Sequence, residues 1–321
     1  DLGDPALETV LGCAAARQLR DEAALLEGAG ATFNQAAFLR GALTPIFFGS
    51  ALNNFGVEPF LQALTTLAPP PGPRVSDRGP VDPSAESFSG FVFKIQANMD
   101  PLHRDRTAFI RVCSGRFTKD MQVLNPRTGK SIRLSRPSRM FARERATVDE
   151  AFPGDVIGVT NPGAFAIGDT LCVGTPLRYT AIPRFAPECF ALLQNRSLAK
   201  HKQFHKGLTQ LVEEGVVQVF YDVANMRREP ILAAVGELQF DVVRARLASE
   251  YGVEADIEPL NYVAARWPSC TPEMLGQERM PMAVREVRDS DDRIVLLFTS
   301  AWELAYVERE RPQFQLRSAA D

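Results

Sequence analysis

Apolar residues recur at three- and four-residue intervals near the start of the chain: Leu7, Val10, Leu11, Ala14 and Ala15, then Leu19, Ala23 and Leu26. This period predicts helix across residues 5–40. Pro45-Ile46-Phe47-Phe48-Gly49 reads as a short apolar strand, and Phe60, Leu61, Leu64 and Leu67 mark one face of a helix over about 57–67. Strand, loop and helix in that order form the unit of an α/β layer. Here it reads as the closing unit of a domain whose earlier part would precede residue 1. The first residue is Asp rather than Met, so the chain reads as a fragment.

Ala68-Pro69-Pro70-Pro71-Gly72-Pro73 cannot continue the helix, because proline lacks an amide hydrogen and fixes φ. With Gly79-Pro80 and Pro83 beyond it, 68–87 reads as a stiff linker. Short β-type runs then follow: Phe91 to Ile95, Ala108 to Val112, Met121 to Leu124, Ser131 to Leu134 and Val156 to Val159. Glycine turns separate them, at Ser114-Gly115, Thr128-Gly129, Pro153-Gly154 and Ile167-Gly168. Strands this close, with no helical stretch among them, predict a small β-barrel over 88–180.

From 181 the pattern changes again. A strand at 188–194 leads to a helix opening near Ser197 and stopped by Gly215. Val216 to Phe220 and Ile231 to Val235 are strands, Leu238 to Tyr251 is a helix ended by Gly252, and Val253 to Ile257 is a strand. The order β-α-β-β-α-β is that of a ferredoxin-like split βαβ unit, giving an α+β domain over 181–321. Beyond 267 only Ile294 to Phe298 reads as a strand, and the last ten residues read as a fraying end. The fold class is therefore multidomain: the end of an α/β domain over 1–67, a β-barrel, and an α+β domain with a C-terminal extension.

Composition changes this picture little. A chain of 321 residues, 45% hydrophobic and 23% charged, has room for two or three folded domains. No apolar run approaches a membrane span, and no export signal opens the sequence. Cys13, Cys113, Cys172, Cys189 and Cys270 stand singly, which fits inert thiols in a reducing cytoplasm better than a disulfide framework.

Charge changes it more. Thirteen Lys or Arg lie between Lys94 and Arg145 against four acids, so that block is +9 while the net charge of −3 leaves −12 elsewhere. Such polarity suits a face presented to nucleic-acid phosphates. A solvated sheet surface whose arginines block edge pairing is the plainer alternative.

Several patterns imitate catalytic motifs. Gly129-Lys130-Ser131 ends like a phosphate-binding loop, but the position that needs the first glycine is Leu124 and no helix follows. Asp155-Val156-Ile157-Gly158 opens a strand with no phosphate loop beside it. His201 and His205 have metal-compatible spacing, yet Lys200, Lys202 and Lys206 would repel a cation, which favours a solvated basic helix face. His103 reads as a surface or phosphate contact. Nothing in the sequence supports a catalytic centre or a metal site.

Phe48-Gly49-Ser50-Ala51-Leu52-Asn53-Asn54-Phe55-Gly56 resembles the last guanine-recognition motif of translational GTPases. Phe88-Ser89-Gly90-Phe91-Val92-Phe93-Lys94-Ile95-Gln96-Ala97-Asn98-Met99-Asp100-Pro101, Ile182 to Glu188, Glu213 to Phe220 and Val235 to Val243 narrow the likeness. In these stretches the chain resembles the bacterial class II peptide chain release factors, the release factor 3 branch of that family.

The resemblance implies a P-loop GTPase domain, a translation-factor β-barrel and a third α+β domain. It implies a cytoplasmic, monomeric termination factor that binds GTP or GDP with Mg, hydrolyses GTP and removes class I release factors from the ribosome. Its partners would be those factors, ribosomal RNA and small-subunit proteins, with no membrane involved. The P-loop, switches and Asn-Lys-x-Asp motif would all precede residue 1, so this chain by itself is expected to be inactive and to hold no cofactor.

Ser50, Ala51 and Leu52 are the guanine-binding positions carried over. Arg104, Arg106, Arg111, Lys130 and Arg133 are the candidate ribosome contacts. Pro162 stands where the family tends to have histidine, and Asn225 to Glu229 also departs from the family pattern. A relative acting in elongation or ribosome recycling, or a stand-alone RNA-binding module, are the alternatives.

Overall fold

The computed structural model describes residues 2–29, 33–97, 106–135, 137–141, 144–160, 163–183, 185–222, 229–277 and 280–319. The chain divides into two compact units, Asp1–Pro70 and Pro71–Asp321.

In the first unit the predicted long helix is broken into α1 (Ala6–Leu11), α2 (Cys13–Gly28) and α3 (Gln35–Leu39). Gly12 interrupts it with φ +79, a conformation that L side chains resist. The Asn34 side chain restarts it by accepting a hydrogen bond from the Ala37 amide. Helix α4 (Val57–Leu67) matches the sequence reading.

The strand expected at 45–49 is absent, because a strand needs a partner ladder and the unit has none to offer. What remains is one antiparallel bridge, Ser50 to Phe55. Ala16 is the only buried hydrophobic residue among the described residues of this unit, while Ile46, Phe48, Phe60, Leu61 and Leu64 stay exposed.

The second unit begins inside the proline-rich stretch. Strands β1 (Arg74–Ser76) and β2 (Gly79–Val81) form a hairpin. Ser76 bridges to Tyr179, and the Thr180 amide donates to the Val75 carbonyl. The Arg74 guanidinium lies 3.8 Å from the Phe91 ring centre. Residues past Pro71 are thus tied to the sheet that follows rather than forming a free spacer.

That sheet is built from β3 (Ser89–Ala97), β4 (Arg106–Ser114), β6 (Gln122–Asn125), β7 (Lys130–Arg133), β8 (Ser138–Phe141), β9 (Glu144–Thr147), β11 (Val156–Thr160) and β12 (Thr170–Cys172). Their order is β7-β6-β12-β3-β4-β11-β8-β9, and β5 (Phe117–Thr118) pairs separately with β10 (Glu150–Ala151). Alternate residues enter one core: Val92, Ile110, Val112, Phe117, Val123, Leu134, Ile157 and Leu171 all belong to a single buried cluster. A sheet whose strands all face one core must curl around it.

The last part is a second antiparallel sheet. Strands β13 (Cys189–Asn195), β14 (Gln218–Asp222), β15 (Pro230–Ala234) and β16 (Ala255–Leu260) alternate with helices α5 (His201–Glu213) and α6 (Leu238–Tyr251). Their order in the sheet is β16-β13-β15-β14, the arrangement of a split βαβ unit. Helix α5 opens later than Ser197 predicts. A 3-10 turn over Leu198–Lys200 precedes it, and Lys200 at the N-cap supplies no side-chain cap.

Past 260 the sheet continues through β18 (Arg285–Arg288), β19 (Ile294–Phe298) and β17 (Ala264–Arg266), joined by α7 (Pro272–Gln277) and α8 (Ala301–Glu310). The end of the chain does not fray as expected. Phe314 is fully buried, and Trp267 and Arg317 exchange backbone hydrogen bonds of 2.9 Å. Burying one aromatic side chain outweighs the disorder of a short tail.

Candidate functional site

The Ser50–Leu52 turn is a narrow structure. The Ser50 amide donates to the Phe55 carbonyl at 2.9 Å and the Phe55 amide returns the bond at 3.0 Å. The Asn53 amide reaches Ser50 Oγ at 3.3 Å, and the Asn54 amide reaches the Ala51 carbonyl at the same distance. The two flanking glycines make this possible. A Cβ on Gly49 would stand 2.8 Å from the Phe55 carbonyl oxygen, and one on Gly56, at φ +71, would collide with the Phe48 carbonyl oxygen.

Between them the amides of Ala51 and Leu52 meet no acceptor among the described residues. Leu52 is 96% exposed. Two N–H groups left without an acceptor at an exposed tip can donate to a carbonyl oxygen such as that of a guanine base.

The cationic candidates are dispersed. Arg104 and His103 lie outside the described residues. Arg106, at the start of β4, is ion-paired with Glu213 at the end of α5. Arg111 sits on the outer face of β4, opposite Phe91 on β3 and Val156 on β11, with no ion pair among the described residues. Lys130 and Arg133 are on edge strand β7, and Arg133 holds Asp120 at 3.2 Å. Strands β6, β12 and β3 separate β7 from β4, about 19 Å at four interstrand spacings. Lys130 and Arg133 thus share strand β7 but, three residues apart, lie on opposite faces of it, and neither shares a strand with Arg106 or Arg111.

The basic block is also more neutral than its count suggests. Arg116 pairs with Glu150 at 3.5 Å, Lys119 with Asp149 at 3.3 Å, and Arg127 with buried Asp169. Asp169 also accepts from Asn125 and from the Ala166 amide, both at 2.8 Å, so Arg127 closes a structural network.

Gly129, φ +67, belongs to the β6–β7 hairpin turn. Asp155 caps the Phe152 turn by accepting its amide at 2.9 Å. His201 and His205 bring their Nε2 atoms within 3.0 Å, and burial together with the neighbouring His201 pushes His205 below the ordinary imidazole range. No group of three or more His, Cys, Asp or Glu among the described residues could hold a metal ion.

Comparison with known proteins decides the family. Residues 179–308 match the model of the class II release factor RF3 C-terminal domain, and residues 87–174 match elongation factor G domain 2. The chain is 51% identical over 320 residues to peptide chain release factor 3 of Acaryochloris marina, covering 100% of this chain and 59% of that relative. It is 51% identical over 319 residues to the Synechocystis protein of the same name, covering 99% and 58%.

The chain belongs to the peptide chain release factor 3 family.

A Gloeobacter violaceus release factor 3 is 50% identical over 320 residues, covering 99% of this chain and 60% of its own length. The chain thus spans about three fifths of the length of the curated release factor 3 relatives it matches. A solved protein from Thermus thermophilus shares the fold over 74% of this chain and 36% of its own, with a TM-score of 0.55 at 21% identity. An elongation or recycling factor is not favoured by these relatives.

Two features of this release factor 3 chain were missed by residue-type reasoning. The positioning role of Gly49 and Gly56 was visible only as two glycines bracketing the turn. Glu213 and Glu214 gave no signal at all, because contacts with Arg106 and the Ala97 amide, each more than a hundred residues away, leave no local pattern.

Proposed function

We propose that this chain is the ribosome-docking part of a translation termination factor. At the length of its relatives, that factor binds and hydrolyses GTP and speeds removal of class I release factors from the ribosome. The observation carrying this reading is the half-identity, along the whole chain, to proteins named peptide chain release factor 3. Ser50, Ala51 and Leu52 then close one side of the guanine pocket, with the Ala51 and Leu52 amides donating to the base carbonyl. GTP with Mg supplies the phosphoryl chemistry when bound.

The domain reading is the end of a G domain over 1–67, a proline-rich segment over 68–87 whose part past Pro71 is tied to the sheet that follows, a translation-factor barrel over 88–180 and an α+β domain over 181–321. The protein would act as a cytoplasmic monomer. No helix among the described residues is long and apolar enough to cross a membrane. Of the cationic candidates, Arg111, Lys130 and Arg133 project as exposed charges suited to phosphate contacts that position without reading sequence. Arg106 instead joins the barrel to α5.

The test is the departure of a labelled class I release factor from post-termination ribosomes, using the protein at the length of its relatives. GTP-dependent acceleration is expected. A departure rate unchanged by protein and GTP would overturn the reading.

A further inference from the structure

Helix α5 is charged against its own dipole. Backbone dipoles favour acids at a helix N-terminus and bases at its C-terminus. Here Lys200, His201, Lys202, His205 and Lys206 crowd the first turns, with no acid between Arg196 and Val212, while Glu213 and Glu214 stand at the far end. Like charges at i and i+4, as in Lys202 and Lys206, add a further penalty.

The acidic end is compensated. Glu213 pairs with Arg106, and Glu214 accepts from the Ala97 amide at 3.0 Å and from Arg246 at 2.7 Å. The basic end is not. Lys200 reaches the Gly252 carbonyl at 2.5 Å, but Lys202 and Lys206 have no ion pair among the described residues. Asp256 holds Arg196 and Glu250 holds Arg246.

The helix beneath this patch is firmly seated. Phe204, Gly207, Leu208 and Leu211 are buried, and a Cβ on Gly207 would stand 2.8 Å from Leu247, so α5 lies hard against α6. His201, Lys202, His205 and Lys206 are exposed on the outer side. A rigid element that tolerates two local penalties without internal relief is matched to an external anion.

We propose that the Lys202–Lys206 face of α5 docks on the sugar-phosphate backbone of RNA. Charge complementarity selects that partner. Protein interfaces centre on desolvated apolar or aromatic anchors and are depleted in lysine, and no large exposed apolar side chain lies on α5 beside this patch. Lysines on a helix that exposes no Phe, Tyr or Trp make sequence-independent phosphate contacts. The proposal rests on the ribosome-docking reading for its RNA source, and it adds a second contact face beyond the barrel.

The experiment compares the chain with its Lys202→Gln/Lys206→Gln variant. Binding is measured to protein-free 16S ribosomal RNA and to whole bacterial ribosomes across a salt series, with poly-L-glutamate as competitor. The log–log salt slope on the RNA should fall by about 1.5 units, roughly 0.7 to 0.9 for each lysine. Lys202→Arg/Lys206→Arg should keep the slope, and single glutamine variants replace the double one if it melts early.

An unchanged slope and affinity on the RNA would overturn the proposal. So would poly-L-glutamate competing as well as RNA of equal charge, since that would assign the face to an acidic protein. If the unsubstituted chain binds ribosomes and the glutamine variant does so identically, this proposal fails while the ribosome reading stands. If the chain ignores ribosomes but shows the predicted slope change on RNA, the reverse holds.

Discussion

Single residues set the geometry of the turn at 50–55. Gly56 combines φ +71 with a Cβ position blocked by the Phe48 carbonyl, so Gly56→Ala must open the bridge between Ser50 and Phe55. The strain is about 1–2 kcal/mol. Faster hydrogen exchange at the Ser50 and Phe55 amides is the expected result, and unchanged exchange would contradict it.

Cysteines give a second reading at this scale. Cys113 is buried beneath Arg74, and that burial pushes its thiol above the usual range, while Cys13 is exposed. The thiolate is the reactive form. Iodoacetamide at about pH 8 should therefore label Cys13 well before Cys113, as followed by peptide mass spectrometry. The same shift has a stability consequence. Above the ordinary thiol pKa the unfolded chain binds fewer protons than the native one, so this contribution is full at neutral pH and falls as pH rises. Early labelling of Cys113 in the folded chain would refute this.

At the scale of elements, the junction between the curled sheet and α5 rests on Glu214. Its side chain is 6% exposed and serves both the Ala97 amide and Arg246. Glu214→Ala leaves that amide unpaired and Arg246 with Glu250 alone, a loss of about 2 kcal/mol. Glu213→Gln should cost about 0.5 kcal/mol, because its pair with Arg106 is half-exposed. Urea midpoints separate the two, and equal midpoints would contradict the account.

Elements with their own periodicity were legible in the sequence. Helices α4 and α6 and the central strands of both sheets lie where alternation and glycine stops put them. The segment at 45–49 was misread because apolar residues announce burial, and strand formation also needs a neighbour. Ser197 was a sound cap by residue type, but its amide turns to Asn195 Oδ1 at 2.9 Å and the helix opens four residues later. The turn at 50–55 was legible through the two glycines that bracket it, Gly49 and Gly56. Which arginines are neutralised was not legible, because it depends on acids brought in by tertiary contact, as Asp169 is to Arg127.

For the whole molecule, the two units differ in what holds them. The unit Pro71–Asp321 contains every large buried cluster, whereas Asp1–Pro70 shows Ile46, Phe48, Leu52 and Phe55 to solvent. Exposed apolar surface on this scale is characteristic of interaction surfaces. Limited proteolysis should cut first within 1–70 and leave a resistant core beginning near residue 71. First cuts inside the curled sheet would contradict this.

The proposed docking of this chain on the ribosome through cationic surfaces needs no bound nucleotide. Its most direct test is co-sedimentation, free of GTP, with bacterial ribosomes carrying a class I release factor, over a series of salt concentrations. Binding at low salt that weakens steeply as salt rises is expected. Absence of binding at low salt, or binding insensitive to salt, would contradict it.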